Sequence, residues 1–313
     1  MGEQSTGIGA ESRAVALPLV HCPYLVPDID PERIPLLGPL VMSRTLPAPT
    51  ILVFDSGLGG LTVFREIVDA RPDAEFIYAA DDALFPYSRI DEHTLIARVV
   101  TLMEGWIEQY QPDVIVIACN TASTLVLPAL RQRFDLPFVG TVPAIKPACA
   151  ASLSKRVTVL GTVATVRREY TKALIRQYGG GCDVALVGSA KLAGFAEAEL
   201  AGSPASDDAI WTEIASCFVN EDGRRTDTVV LACTHYPLLT ARFERLAPWP
   251  VRWVDPAHAI ARRVVELVGP ATRPDSTEEA QVIFTSGREA PLALAAALAR
   301  SKSAAPEPAP AAI

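Results

Sequence analysis

Two eight-residue stretches of this chain are versions of one another: Val114-Ile115-Val116-Ile117-Ala118-Cys119-Asn120-Thr121 and Thr228-Val229-Val230-Leu231-Ala232-Cys233-Thr234-His235. Each is an unbroken apolar run, rich in β-branched residues, that ends in a cysteine. Small polar residues and an apolar, helix-like segment follow. A run of this length with polar boundaries is the pattern of a strand buried on both faces of a parallel sheet. The cysteine then stands at the strand's carboxyl end, where open α/β sheets place their ligands. Two such cysteines point to a site built twice and closed face to face.

The surrounding chain repeats the same grammar. Thr50–Phe54 reads as a buried strand that runs into Asp55-Ser56-Gly57-Leu58-Gly59-Gly60 and then a helix through Arg71. Strands at 75–79, 114–118 and 138–142 alternate with helices at 91–110 and 122–134, which means a parallel sheet. From about Pro143 the order restarts: a strand at 156–160, a helix at 165–178, a strand at 182–187, helices at 191–200 and 208–220, then the second cysteine strand. Cys119 and Cys233 lie 114 positions apart and the opening residues Thr50 and Arg156 lie 106 apart, near enough to indicate an internal duplication. The expected organisation is α/β: a first domain over 50–142 plus 255–300, a second over 143–254, and disordered ends at 1–49 and 301–313.

With 313 residues, half of them hydrophobic and a fifth charged, the chain is long enough for two ordinary cores. Its 28 basic and 36 acidic residues give a net charge of -8 without a basic face, which argues against nucleic acid as a partner. The six cysteines are too sparse and irregular for a disulfide scaffold and read as reduced cytoplasmic thiols. No apolar run reaches membrane-spanning length.

The glycine loop after Asp55 has neither dinucleotide-fingerprint nor P-loop spacing, and a capped turn with Asp55 or Ser56 as N-cap competes with an anion site. Three readings of the cysteine pair also compete. Free cysteines are usually small core residues. A metal site at Cys119, Cys233 and His235 lacks further ligands and any C-x-x-C pair. The third reading is an acid/base pair on opposite faces of a substrate, where one group removes a proton and the other returns it. A thiol's ordinary pKa of about 8.5 lets one cysteine be thiolate and its partner thiol, with no cofactor. Asp55 is placed to help Cys119, and His235 to help Cys233.

At this point the chain resembles the glutamate racemases of the aspartate/glutamate racemase superfamily. The matches are Phe54-Asp55-Ser56-Gly57-Leu58-Gly59-Gly60, Pro86-Tyr87, Ala118-Cys119-Asn120-Thr121-Ala122-Ser123, Ala232-Cys233-Thr234-His235-Tyr236-Pro237-Leu238 and Phe284-Thr285-Ser286-Gly287. The resemblance implies two pseudo-symmetric flavodoxin-like halves with the site between them, and cofactor-independent interconversion of L- and D-glutamate for peptidoglycan synthesis. It implies that Cys119 takes the α-proton of the D-isomer and Cys233 that of the L-isomer. Asp55, Ser56, Tyr87, Ser88, Asn120, Thr121, Thr234 and His235 would assist or bind substrate. Some proteobacterial members are activated by a cell-wall nucleotide precursor, and members dimerise in different ways, so both an activator and a homodimer stay open.

Two positions depart from the family pattern. Ser88 follows Pro-Tyr where glycine is usual. Lys191 falls where many members carry a glutamate, and Glu197 and Glu199 are off register, so no catalytic carboxylate is assigned in the second half. Racemisation of aspartate or another amino acid by the same machinery, or a non-catalytic regulatory protein of the gyrase-inhibitor type on the same fold, are the alternative functions; one methylene is worth only about 1–3 kcal/mol of discrimination.

Overall fold

In the computed structural model of the chain the described residues are 47–272, 275, 276 and 279–289. The expected disordered tail 301–313, the last part of the expected first domain and all but the last three residues of the extension 1–49 lie outside them.

The first half runs β1 (Thr50–Asp55), α1 (Leu61–Ala70), β2 (Glu75–Ala80), α2 (Glu92–Tyr110), β3 (Val114–Ile117), α3 (Asn120–Arg133) and β4 (Phe138–Gly140). Then come α4 (Ile145–Ala151), β5 (Arg156–Thr162), α5 (Val163–Arg167), α6 (Glu169–Tyr178), β6 (Asp183–Ser189), α7 (Leu192–Leu200) and α8 (Asp207–Ile214). The last described elements are β7 (Asn220–Glu221), β8 (Arg224–Arg225), β9 (Thr228–Ala232), α9 (Thr240–Leu246), β10 (Arg252–Val254), α10 (Ala257–Val268) and β11 (Gln281–Phe284).

Two parallel sheets result, one in the order β11-β2-β1-β3-β4 and the other β10-β9-β5-β6. Reversed, the second reads β6-β5-β9-β10, which matches β2-β1-β3-β4 strand for strand. The cysteine-bearing strands β3 and β9 are therefore equivalent. In the register, Phe54 pairs with Ile117 and Leu160 with Leu231, so Asp55 corresponds to Gly161 and Thr121 to His235.

The alternation of a strand explains how each sheet is covered twice. Ile51 and Val53 pack with α1 and α10, whereas Leu52 and Phe54 pack with α2 and α3. In the second sheet Leu160, Val229 and Leu231 meet α7, α8 and α9, while Val157, Val159, Val230 and Ala232 meet α4. The C-terminal strand β11 joins the first sheet beside β2.

Two expected helices differ from the structure. The helix over 165–178 is broken at Arg168, which is extended (φ -65°, ψ 141°) between α5 and α6. The helix over 208–220 ends at Ile214 with a 3-10 turn over Ala215–Cys217, and the expected last residue, Asn220, instead opens the β7-β8 hairpin, whose tight turn is Asp222 (φ 51°) and Gly223 (φ 70°). That Asp-Gly pair is a hairpin signal on its own. Among the described residues no helix is long and apolar enough to cross a membrane.

Candidate active site

A cavity of about 320 Å³ lies where the strand ends of the two sheets meet, and both cysteines line it. Of the residues expected at the site, Ser56, Tyr87, Ser88, Cys119, Asn120, Thr121, Cys233, Thr234 and His235 line it too. Asp55 does not. It is fully buried behind the glycine loop, where its carboxylate accepts the N–H groups of Gly57 at 3.1 Å and Gly60 at 3.0 Å. Thr234 Oγ1 approaches its other oxygen at 3.5 Å. Asp55 thus shapes the loop and acts on the site by charge. The expected N-cap role moves accordingly, from the helix itself to the loop that leads into it.

On the first side, Cys119 precedes α3, and its Sγ lies 3.4 Å from Ser56 Oγ. Burial, aided by the negative charge of Asp55, pushes the Cys119 thiol up to about 12. Cys119 therefore rests as a protonated thiol. Next to it the Asn120 amide is buried with neither its nitrogen nor its oxygen paired to protein, an arrangement that calls for a polar ligand. Thr121 Oγ1 meets Thr162 Oγ1 at 3.2 Å across the halves.

Tyr87 contributes its ring to the wall, but its hydroxyl donates to Asp81 at 2.7 Å. Arg98 and Thr285 bind the same carboxylate, which explains the Thr285 of the last matched motif.

On the second side, Cys233 Sγ lies 3.9 Å from His235 Nδ1. His235 Nε2 lies 2.9 Å from Glu197 Oε1, which also accepts the Leu58 N–H at 2.6 Å. The Gly59 N–H points at the same Nε2 at 3.2 Å. One nitrogen cannot donate to the carboxylate and accept from Gly59, and an unprotonated nitrogen would face the carboxylate lone pair to lone pair. The protonated Nε2 is therefore the consistent arrangement. Burial opposes charge on this ring, yet the bonds to Cys233 and Glu197 raise its pKa well above the imidazole range. Glu197 shows the converse: burial works against its charge, and His235 holds its pKa below the usual carboxylate value.

Glu197 is the residue at this site that sequence reasoning left unassigned. It sits on α7, six residues past Lys191, the residue that caps the start of that helix. Lys191 occupies the cavity rim with its exposed ammonium 3.4 Å from Glu213. Gly57 and Gly59 permit the approach, since a Cβ on Gly57 would stand 2.5 Å from Glu197 Oε1 and one on Gly59 would overlap the His235 ring.

Comparison with known proteins agrees with this arrangement. The model of the Asp/Glu/hydantoin racemase family matches residues 53–264. The glutamate racemase of Agrobacterium fabrum is 53% identical over 242 residues, 76% of this chain and 88% of that protein. That of Brucella anthropi is 56% identical over 221 residues, covering 70% and 80%. The crystal structure of Escherichia coli glutamate racemase with L-glutamate and the activator UDP-MurNAc-Ala superposes with a TM-score of 0.74 at 40% identity, covering 82% of this chain and 96% of that one. With a family match over most of its length and relatives above half identity, this chain belongs to the Asp/Glu/hydantoin racemase family.

Proposed function

We propose that this protein is a cytoplasmic glutamate racemase that interconverts L- and D-glutamate with two cysteines and supplies D-glutamate for peptidoglycan. The observation that carries the reading is the pair of thiols from equivalent strand ends, one per half, on a single cavity that the unsatisfied Asn120 amide also lines. A racemase needs a proton acceptor on one face of Cα and a donor on the other.

The resting charges suit that division. Cys119 holds its proton, while the imidazolium of His235 offers the counter-charge needed by a thiolate on Cys233. In this form Cys233 takes the α-proton of L-glutamate as Cys119 delivers its own to the opposite face. The product D-isomer leaves the enzyme with the thiolate on Cys119, ready for the reverse reaction. Asn120, Ser56, Thr121 and Thr234 supply the amide and hydroxyls that hold carboxylates and ammonium without a metal.

The test is chiral analysis of L-glutamate, D-glutamate and L-aspartate incubated separately with the enzyme. Both glutamate isomers should reach the racemic mixture, and Cys119→Ala and Cys233→Ala should each reduce inversion by at least about 10³-fold. Turnover of aspartate alone would keep the chemistry and overturn the substrate. By analogy with the E. coli complex, adding UDP-MurNAc-Ala should raise turnover; an unchanged rate would remove activation from the account.

A further inference from the structure

Cys119 and Cys233 end equivalent strands, but their surroundings differ. Cys233 has an imidazole two residues on, where Cys119 has Thr121. The acid at the end of β1, Asp55, opposes negative charge on Cys119. A compensating cation reaches this side from the other half of the molecule. The break between α5 and α6 leaves Arg168 as the one extended residue between two helices, and its side chain crosses to α3. There Nη1 donates to the Thr121 carbonyl and to Thr124 Oγ1, and Nε lies 3.4 Å from Glu92.

This placement is not explained by stability. The Arg168 side chain is only 11% exposed, and its carboxylate partner Glu92 is 65% exposed and so a weak counter-ion. The amino end of a helix, where it sits, disfavours cations. Burial lowers the guanidinium pKa, and the charges of Glu92 and of Cys119 when ionised work in the opposite direction. A neutral donor would satisfy Thr121 and Thr124 equally well. What it would not supply is a fixed positive charge when the Cys119 side becomes negative.

We infer that Arg168 is a positioning residue for the Cys119 half of the reaction. It holds the first turn of α3, with Cys119 and Asn120 at its head, and stabilises negative charge on Cys119 Sγ. The inference rests on the racemase reading above. When the D-isomer reacts, the Cα proton passes to Cys119 Sγ, and the electron pair left on Cα takes the proton of Cys233. Net charge is conserved, and the thiolate moves from one half to the other. Arg168 therefore acts on the step at Cys119, as His235 does on the step at Cys233.

The experiment compares wild type, Arg168→Gln and Arg168→Lys with D- and L-glutamate deuterated at Cα. Circular dichroism and thermal unfolding establish that the variants fold. For Arg168→Gln, kcat should fall about 10- to 100-fold. The isotope effect on kcat/KM should rise for the D-isomer and fall towards unity for the L-isomer, because the Cys119 transfer has become the slower one. Arg168→Lys keeps the charge and should restore most of the wild-type balance. A slowed Arg168→Gln enzyme whose two isotope effects stay in the wild-type ratio would overturn the inference, and so would one with unchanged kcat. A wild-type protein that racemises neither isomer would instead sink the racemase reading, and this inference with it.

Discussion

In the proposed reaction Cys119 and Cys233 do the same chemistry from unlike electrostatic settings, and Glu197 adds to the difference through His235. By accepting from His235 Nε2 at 2.9 Å it keeps the ring cationic, so Glu197→Gln should lower the His235 pKa. A ¹⁵N NMR titration of His235 would then show deprotonation at lower pH than in wild type. The pair also makes stability depend on pH. Because the Glu197 carboxyl is held below its ordinary value of 4.5, its contribution is present at neutral pH and is lost as pH falls through the depressed pKa. His235, raised above 6.5, contributes fully below that value, and its share is lost only as pH climbs through the raised pKa. Glu197→Gln should cost about 1.5–3 kcal/mol at neutral pH, and thermal unfolding should show the gap closing in acid. The cysteines were legible in the sequence because a strand end is marked by its neighbours. Glu197 was not, because which face of α7 meets His235 depends on how α7 packs within the second half. Lys191, the better-aligned residue, turns to Glu213 instead.

At the scale of elements, the segment from Asp55 to Gly60 is one of the parts that join the halves. Its backbone N–H groups serve Asp55 on one side and Glu197 on the other, so its path is set by two carboxylates from different halves. Gly59→Ala should push a methyl group into the His235 ring. The expected result is a loss of about 1–3 kcal/mol in thermal or urea unfolding together with most of the activity. If Gly59→Ala retained full activity, the close packing of loop and imidazole would be irrelevant to catalysis. The strands of both sheets were readable from their apolar runs and β-branched content. The break at Arg168 was not, because nothing local in Val166-Arg167-Arg168-Glu169 interrupts a helix. It is imposed by what the Arg168 side chain reaches on α3. The short hairpin at 220–225 was legible in Asp222-Gly223 and was covered over by the helical pattern before it.

For the whole molecule, one strand order used twice explains why the site lies between the sheets. Each half presents a cysteine at the same topological position, and residues of both halves line the cavity. The halves are nevertheless not interchangeable. Asp55 has Gly161 as its counterpart, and His235 has Thr121, so each contributes what the other lacks. The duplication itself was visible in sequence spacing, whereas this exchange of roles needed the register of the strands. The most direct test of the two-thiol account is a D₂O time course of L-glutamate followed by mass spectrometry of each isomer at a few per cent conversion. The account predicts that the D-glutamate formed carries deuterium at Cα while the remaining L-glutamate keeps its proton. Deuterium appearing in recovered L-glutamate as fast as in product, or the substrate proton retained in D-glutamate, would mean that a single base serves both faces and would contradict it.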